Sequence, residues 1–281
     1  MRPLTLIAAA VAALACSGSA LAGLPGSGYL IFKESRVGAL TEVRAAGTGQ
    51  LVSGVGVLPN GSRKHQADDC RDATYLAFGA TWAPNPRYVV NAASAPSYLD
   101  RRKVLRQIRA SHNAWRFPFE TDCRRPHPAK PTGARKPSAP KSKYKPVYAG
   151  ETSRLASLVG WLESDGVNTI VFQTLAGTIC DGASACVVLE YENGRILEAD
   201  LAFEEDLTRY GFQDFWTTGE RTWFDATGGR WAILDVATHE FGHFAGLDHV
   251  WESPALTMFP FVHDGAQTLG LGDMLGLLEL Y

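Results

Sequence analysis

Residues 239–249 read His-Glu-Phe-Gly-His-Phe-Ala-Gly-Leu-Asp-His and hold three of the seven histidines in the 281-residue chain. Side chains four residues apart lie on one face of a helix, so His239 and His243 can direct their imidazoles toward a single point. Imidazole nitrogens bind zinc at about 2.0–2.1 Å, which this spacing allows. The stretch therefore predicts a helix, placed at about Ile233 to Ala245, that carries two metal ligands.

Three further residues complete this pattern. Gly246 stands where the helix must end, and a glycine in the left-handed conformation turns the chain sharply, which brings His249 back to the same metal. Three neutral nitrogen ligands leave a fourth position for water, as in catalytic zinc sites. Glu240 follows His239 directly, so its carboxylate lies beside the metal and is predicted to act as a general base rather than a ligand.

The continuation of His-Glu-x-x-His through Gly246 and His249 resembles the metzincin zinc peptidases, and most of all the matrixins and their bacterial relatives. Two later stretches support this resemblance. Residues 256–260, Leu-Thr-Met-Phe-Pro, resemble the Met-turn of the family, in which Met258 would lie beneath the three imidazoles. Residues 272–281 resemble the last helix of the matrixin catalytic domain.

Two upstream stretches, 235–238 and 198–203, also look like matrixin segments. By the resemblance, residues 198–203 would be the edge strand against which an extended protein or peptide substrate pairs. The resemblance covers roughly Cys70 to Tyr281, strongly from Arg230 onward. Phe259 stands where astacins and serralysins have a metal-reaching tyrosine, so that fifth ligand is not expected.

The resemblance implies an α+β fold: a zincin-like metallopeptidase domain with a twisted, mainly parallel sheet, two long helices and a short C-terminal subdomain after Gly246. The first long helix is predicted from Ser97 to Trp115, with Asp100 at capping-box spacing. Strands are predicted at residues 168–175, 186–191 and 195–203, the last two joined by a turn at 192–194.

The resemblance implies one catalytic zinc ion. We expect no second zinc, because Ala202 stands near the position of an expected histidine. Four acidic residues could bind calcium, as such loops do in relatives, but we favour the alternative of a solvated acidic loop. These residues are Asp181, Glu204, Glu205 and Asp206.

The N-terminus has the composition of an export signal. Arg2 precedes an apolar run from Leu4 to Cys16, and Ala20-Leu21-Ala22 is a small-x-small cleavage pattern, so residues 1–22 are predicted to be a removed signal peptide. The protein is then secreted. The alternative is a lipoprotein anchored through Cys16. The apolar run is shorter than the roughly 20 residues of a membrane span, and none is expected.

The remaining four cysteines are Cys70, Cys123, Cys180 and Cys186. An even number in an exported chain predicts two disulfides, and three pairings are possible. We favour Cys180–Cys186, which closes a short loop, and Cys70–Cys123.

Two segments are harder to assign. Residues 23–69 contain short β-like runs, such as residues 28–32, and are predicted to be a propeptide or N-terminal extension or, equally, extra strands of the main fold. Residues 124–146 hold eight Lys or Arg, six Pro and no acidic residue, which predicts an extended solvated loop inserted in the 70–281 domain. A docking patch for an anionic partner is the alternative for this loop.

With a formal net charge of −2, the chain has no overall attraction for nucleic acid, and no such partner is expected. The sequence does not indicate an oligomeric state. The predicted function is hydrolysis of internal peptide bonds by a zinc-activated water, with Glu240 as general base and then acid. A binding protein that keeps the zinc fold without cleaving anything is the alternative from another class, and a metal-dependent hydrolase of another amide is a third.

Overall fold

A computed structural model describes residues 27–34, 40–44, 51–55, 70–83, 85–116, 142–158, 164–208, 211–219, 230–260 and 268–281. The strands are β1 (Ser27–Glu34), β2 (Leu40–Arg44), β3 (Leu51–Val55), β4 (Thr81–Trp82), β5 (Arg87–Asn91), β6 (Val147–Glu151), β7 (Asn168–Gln173), β8 (Ala185–Glu192), β9 (Arg195–Glu204), β10 (Trp216–Thr217) and β11 (Trp231–Ala232). The helices are α1 (Arg101–Arg116), α2 (Ile233–Ala245) and α3 (Leu271–Leu280).

The main sheet has the strand order β1-β8-β9-β7-β5-β6, with the short β4 pairing with β9. Pairs β9/β7, β7/β5, β5/β6 and β4/β9 are parallel, whereas β1/β8 and β8/β9 are antiparallel. The sheet is therefore mixed and mostly parallel, and with the three helices it confirms the predicted α+β, zincin-like class.

The two long helices pack against each other across one face of the sheet. The indole of Trp115 in α1 donates to the carbonyl oxygen of Thr238 in α2 over 2.7 Å, and Trp115 is fully buried. The side-chain oxygen of Gln107 accepts from the backbone N–H of Leu234 at 3.1 Å. These bonds fix the position of α2, the helix that carries His239 and His243.

A second, smaller apolar cluster lies on the opposite face of the sheet. It contains the Cys180–Cys186 disulfide, as predicted, beside Ile31, Val171 and Ala202. Alternate residues of a strand point to opposite faces, so Leu30 and Phe32 belong to the helix-side core while Ile31 belongs to this cluster. Cys70 is also disulfide-bonded, and its predicted partner Cys123 lies outside the described residues.

The predicted strands and the turn between β8 and β9 are confirmed, with small shifts of their ends. Asn193 and Gly194 have φ of 47° and 75°, the left-handed pair that a tight two-residue hairpin needs. The prediction that α1 begins at Ser97 is wrong. The carboxylate of Asp100 accepts from the backbone N–H of Arg102 at 2.8 Å and of Lys103 at 3.2 Å, so Asp100 caps a helix that begins at Arg101.

The prediction that residues 198–203 form the edge strand is also wrong. They lie in β9, which has β8 on one side and β7 on the other. The strand beyond β9 is β8, and β1 from the predicted N-terminal extension covers its outer edge. The resemblance identified residues 198–203 as a strand, but the local sequence does not determine which strands lie beside it.

The end of the predicted basic loop packs into the core. Tyr144 is 1 % exposed and its ring lies 4.9 Å from that of Tyr281, so residues 142–146 are not the solvated loop that we predicted. The rest of that loop, residues 124–141, and the predicted signal peptide, residues 1–22, lie outside the described residues. Among the helices described, none has the length and apolar character needed to cross a membrane.

Candidate metal centre

The turn after α2 sets the position of the third histidine. Gly246 has φ of 108°, in the left-handed region, and its N–H donates to the carbonyl oxygen of His243 at 2.9 Å. The next N–H, of Leu247, donates to the carbonyl oxygen of Gly242 at 3.0 Å. These two bonds form a Schellman cap, which ends the helix and reverses the chain toward His249.

The structure brings together the three predicted ligands. The Nε2 atoms of His239, His243 and His249 lie 3.0 to 3.1 Å from one another. Among the residues that the structure describes, these three form the only group of His, Cys, Asp or Glu side chains able to hold a metal ion. Nitrogens at this spacing can all reach one ion at about 2.0–2.1 Å, so the donor set fits zinc.

Hydrogen bonds at Nδ1 of two histidine rings determine which ring nitrogen presents a lone pair. Nδ1 of His239 lies 2.6 Å from the carbonyl oxygen of Thr257, and Nδ1 of His243 lies 2.9 Å from that of Leu247. A carbonyl oxygen can only accept, so each Nδ1 carries the proton and each Nε2 of the neutral ring presents a lone pair. Converging lone pairs do not hydrogen-bond to one another, and a cation between them removes the repulsion.

Electrostatics around His243 favour the neutral ring that a metal requires. Burial, and then the neighbouring His249 and His239, lower the pKa of His243 well below its ordinary value. All three rings are buried, with exposed fractions of 0 to 1 %. Neutral imidazole is the form that coordinates a metal.

Glu240 lies one residue beyond His239 on α2 and is fully buried. It does not belong to the three-histidine group, and its place in the sequence is that of the predicted general base. A carboxylate at such a position can exchange a proton with a reacting water.

The Met258 side chain packs against α2 at Gly242, where the helix has no side chain. A Cβ added to Gly242 would come within 2.1 Å of the Met258 sulfur and 2.7 Å of the Trp115 ring, so only glycine fits at this position. The carbonyl oxygen of Met258 also accepts from the N–H of Val250 at 2.9 Å. The place of Met258 beneath the imidazoles stays a prediction, and no local pattern in the sequence indicated that residue 242 must be glycine.

A segment near Cys70 supports the turn that leads to His249. The N–H of Asp248 donates to the carbonyl oxygen of Leu76 at 2.9 Å, and Ala77 forms an antiparallel bridge with Leu247. The carbonyl oxygen of Ala80 would lie 2.6 Å from a Cβ on Gly246. Residues 76–80 therefore hold the turn at a fixed distance from α2.

One aromatic residue at the site was not predicted. The ring of Phe32, in β1, stacks on the imidazole of His243 with centroids 4.1 Å apart and planes 11° apart. The apolar run at residues 28–32 predicted a strand, but no local signal showed which strand it would join.

Two of the acidic residues considered for calcium accept hydrogen bonds from neighbouring groups. The Glu204 carboxylate accepts from the N–H groups of Leu175 at 3.1 Å and Asp206 at 3.2 Å, and Glu205 accepts from the Thr174 hydroxyl at 2.6 Å. Among the described residues, the four acidic side chains form no group able to hold a metal ion, so a calcium site has no support.

Comparison with protein families finds a match to the C-terminal part of the chain. Residues 172–281 match the family model Peptidase_M10, described as Matrixin, which confirms the resemblance over that part of the chain. The match contains α2, Met258 and α3. No curated protein matched the chain.

Proposed function

We propose, from the premise that residues 172–281 are those of a matrixin-like metzincin, that this protein is a secreted zinc-dependent endopeptidase that hydrolyses internal peptide bonds of proteins. The observation that carries the proposal is the convergence of three Nε2 atoms, 3.0 to 3.1 Å apart. The buried Glu240 follows the first of these histidines in the sequence. His239, His243 and His249 are assigned as ligands of one zinc ion.

Each residue of the site has a role in this proposal. When bound, zinc would lower the pKa of water at the open position to about 7 and polarise the substrate carbonyl. Glu240 accepts the proton of the attacking water and then delivers it to the amide nitrogen as the carbon–nitrogen bond breaks. The carbonyl oxygens of Thr257 and Leu247 orient the rings of His239 and His243 and keep their Nε2 atoms unprotonated.

Secretion is part of the proposal. An apolar run followed by Ala20-Leu21-Ala22 is typical of a cleaved export signal, with a lipoprotein anchored through Cys16 as the alternative. The Cys180–Cys186 disulfide supports an oxidising compartment, because such bonds seldom persist in a reducing cytosol.

Cleavage of a reduced and alkylated protein tests the proposal. The purified chain is assayed with and without a zinc chelator, beside Glu240→Gln, and zinc content is measured in each sample. We expect Glu240→Gln to keep zinc and lose roughly 10²- to 10⁴-fold in rate. Unchanged cleavage in Glu240→Gln would exclude the assigned base, and zinc binding without any cleavage, in the intact chain and in a chain cut before Cys70, would favour a non-catalytic binding protein.

A further inference from the structure

The outer edge of β8 is occupied by the chain itself. β1 runs antiparallel to β8 over the full length of both strands, from Ser27 opposite Glu192 to Glu34 opposite Ala185. Without β1, β8 would end the sheet on this side and present unpaired N–H and C=O groups. A free edge of this kind is where an extended peptide adds as a further strand.

The same strand covers the metal centre. Phe32 stacks on His243 at a centroid distance of 4.1 Å, and its ring lies edge-on to His249 at 6.4 Å. On its other side it contacts Phe78 at 5.3 Å. Phe32 is 1 % exposed, so its ring fills the space beside two of the three ligands.

The catalytic groups are closed off from solvent in this arrangement. Glu240, His239 and His243 have no exposed surface, and His249 has 1 %. A peptidase that admits a polypeptide needs an open approach to these groups, and the strand that would pair with β8 needs the edge that β1 occupies. Substrate and β1 therefore compete for one place.

We infer that residues 27–34 form an inhibitory strand, which blocks the catalytic cleft by pairing with β8 and by placing Phe32 on His243, until the strand is released by cleavage of the chain before Cys70. This inference rests on the proposed peptidase function. Inhibition of this kind does not require a cysteine or a carboxylate of the inhibitory strand to bind the metal. The Phe32 ring and the backbone pairing with β8 close the site.

Tethering explains why the closed arrangement dominates. A strand attached to its own site acts at an effective concentration of roughly millimolar, so weak pairing is enough to keep it bound. Once the tether is cut, binding depends on the concentration of the free segment. Release by cutting and dilution is then the expected route to activity.

The experiment uses the full chain from residue 23, with a site for a sequence-specific protease placed between residue 60 and Cys70. The folded protein is cut, and its cleavage of a reduced and alkylated protein is measured before cutting, after cutting, and after the fragment is removed. We expect the rate to rise roughly tenfold or more when the fragment is removed. Adding a synthetic peptide of residues 27–34 should restore the inhibition.

Two altered peptides provide a matched comparison. Phe32→Ala removes the ring that contacts His243, whereas Ile31→Ala removes a similar apolar side chain from the other face of the sheet. Phe32→Ala should weaken inhibition more than Ile31→Ala. In the uncut chain, Phe32→Ala should raise the basal rate.

Amide hydrogen exchange gives a readout that does not depend on activity. Removal of the fragment should increase exchange along β8 and leave β7, in the middle of the sheet, unchanged. An uncut chain as active as the cut one, or a cut protein that unfolds when the fragment leaves, would overturn the inference. If β8 becomes exchangeable and binds the peptide while no form of the protein cleaves, the inhibitory docking stands and the proposed peptidase function fails.

Discussion

Nδ1 of His239 donates to the carbonyl oxygen of Thr257 over 2.6 Å, which connects the first of the three clustered histidines to the chain segment that carries Met258. That segment is held in turn by Asp273 of α3. Its carboxylate accepts from the N–H of Thr257 at 2.9 Å, of Met258 at 3.1 Å and of Gly270 at 2.8 Å. A buried carboxylate therefore positions the imidazole of His239 through one stretch of backbone.

Asp273→Asn should weaken zinc binding although residue 273 does not touch the metal. The carboxylate of Asp273 now accepts from three backbone N–H groups with its two oxygens. An amide has only one oxygen, so its NH2 group would face at least one of these N–H donors. We expect zinc affinity to fall by about 10- to 100-fold and the free energy of unfolding by about 1–3 kcal/mol. Competition with a chelator and urea denaturation measure the two effects.

Glu279→Gln is the matched control for Asp273→Asn. Glu279 lies on the same helix and is exposed, so the same change of carboxylate to amide should leave both quantities within error. Equal effects of the two substitutions would show that Asp273 does not position His239.

Gly242→Ala should reverse the usual effect of this substitution in a helix. Alanine in place of glycine ordinarily stabilises a helix interior by about 1 kcal/mol. Here the new Cβ would lie 2.1 Å from the Met258 sulfur and 2.7 Å from the Trp115 ring, so one of them must move. We expect a loss of about 1–3 kcal/mol in the free energy of unfolding, measured by urea denaturation.

The double variant Gly242→Ala/Met258→Ala separates a collision from a loss of helix structure. Removing the Met258 side chain opens the space that the new Cβ needs, so the double variant should be more stable than the sum of the two single changes predicts. Simple additivity would contradict the collision.

The sequence specified the metal centre because its geometry is local. Two histidines four residues apart, a glycine that ends the helix and a third histidine lie within eleven residues, and helix geometry is enough to bring them together. The contacts that complete the site join distant parts of the chain. Phe32 is more than 200 residues before His243 in the sequence, and Asp273 is in α3, after the zinc motif. Nothing in their local sequence indicates which strand or turn they contact.

The order of the strands had the same limit. Residues 198–203 lie inside the sheet and not at its edge. The prediction failed because the sequence of this run indicates a strand without identifying its neighbours. The start of α1 was misplaced for a different reason. Ser97 and Asp100 are both good N-caps, and only the observed hydrogen bonds of Asp100 distinguish them.

Removing the Cys180–Cys186 disulfide should lower stability moderately. The two cysteines are six positions apart, so the bond closes a short loop, and loop-closure entropy gives a contribution of about 2 kcal/mol. We expect Cys180→Ala/Cys186→Ala to lose about this much in urea denaturation without reducing agent. Under reducing conditions the difference between the variant and the unchanged protein should shrink, and a difference that persisted would assign the loss to packing.

Stability should depend on pH through His112, which is buried. One ring nitrogen lies 2.9 Å from the Tyr88 hydroxyl and the other 2.9 Å from the carbonyl oxygen of Pro146. Burial, against the hydrogen bond to Pro146 and aided by the positive charges of Arg116 and Arg109, lowers the pKa of His112 from 6.5 to about 4. The unfolded chain takes up a proton at higher pH than the folded one, so stability is present above the unfolded pKa and is lost as the pH falls toward 4.

His112→Gln removes this titration, and the glutamine amide can still form hydrogen bonds. Between about pH 7 and pH 5, the unchanged protein should lose about 2 kcal/mol more than His112→Gln does in urea denaturation. Asp200 acts in the opposite direction, because burial raises its pKa from 3.8 to about 7 and stability from this group falls as the pH rises through that range. Asp200 is present in both proteins, so the difference between the two isolates His112. Parallel pH curves would show that the His112 ring is protonated equally in the folded and unfolded chains.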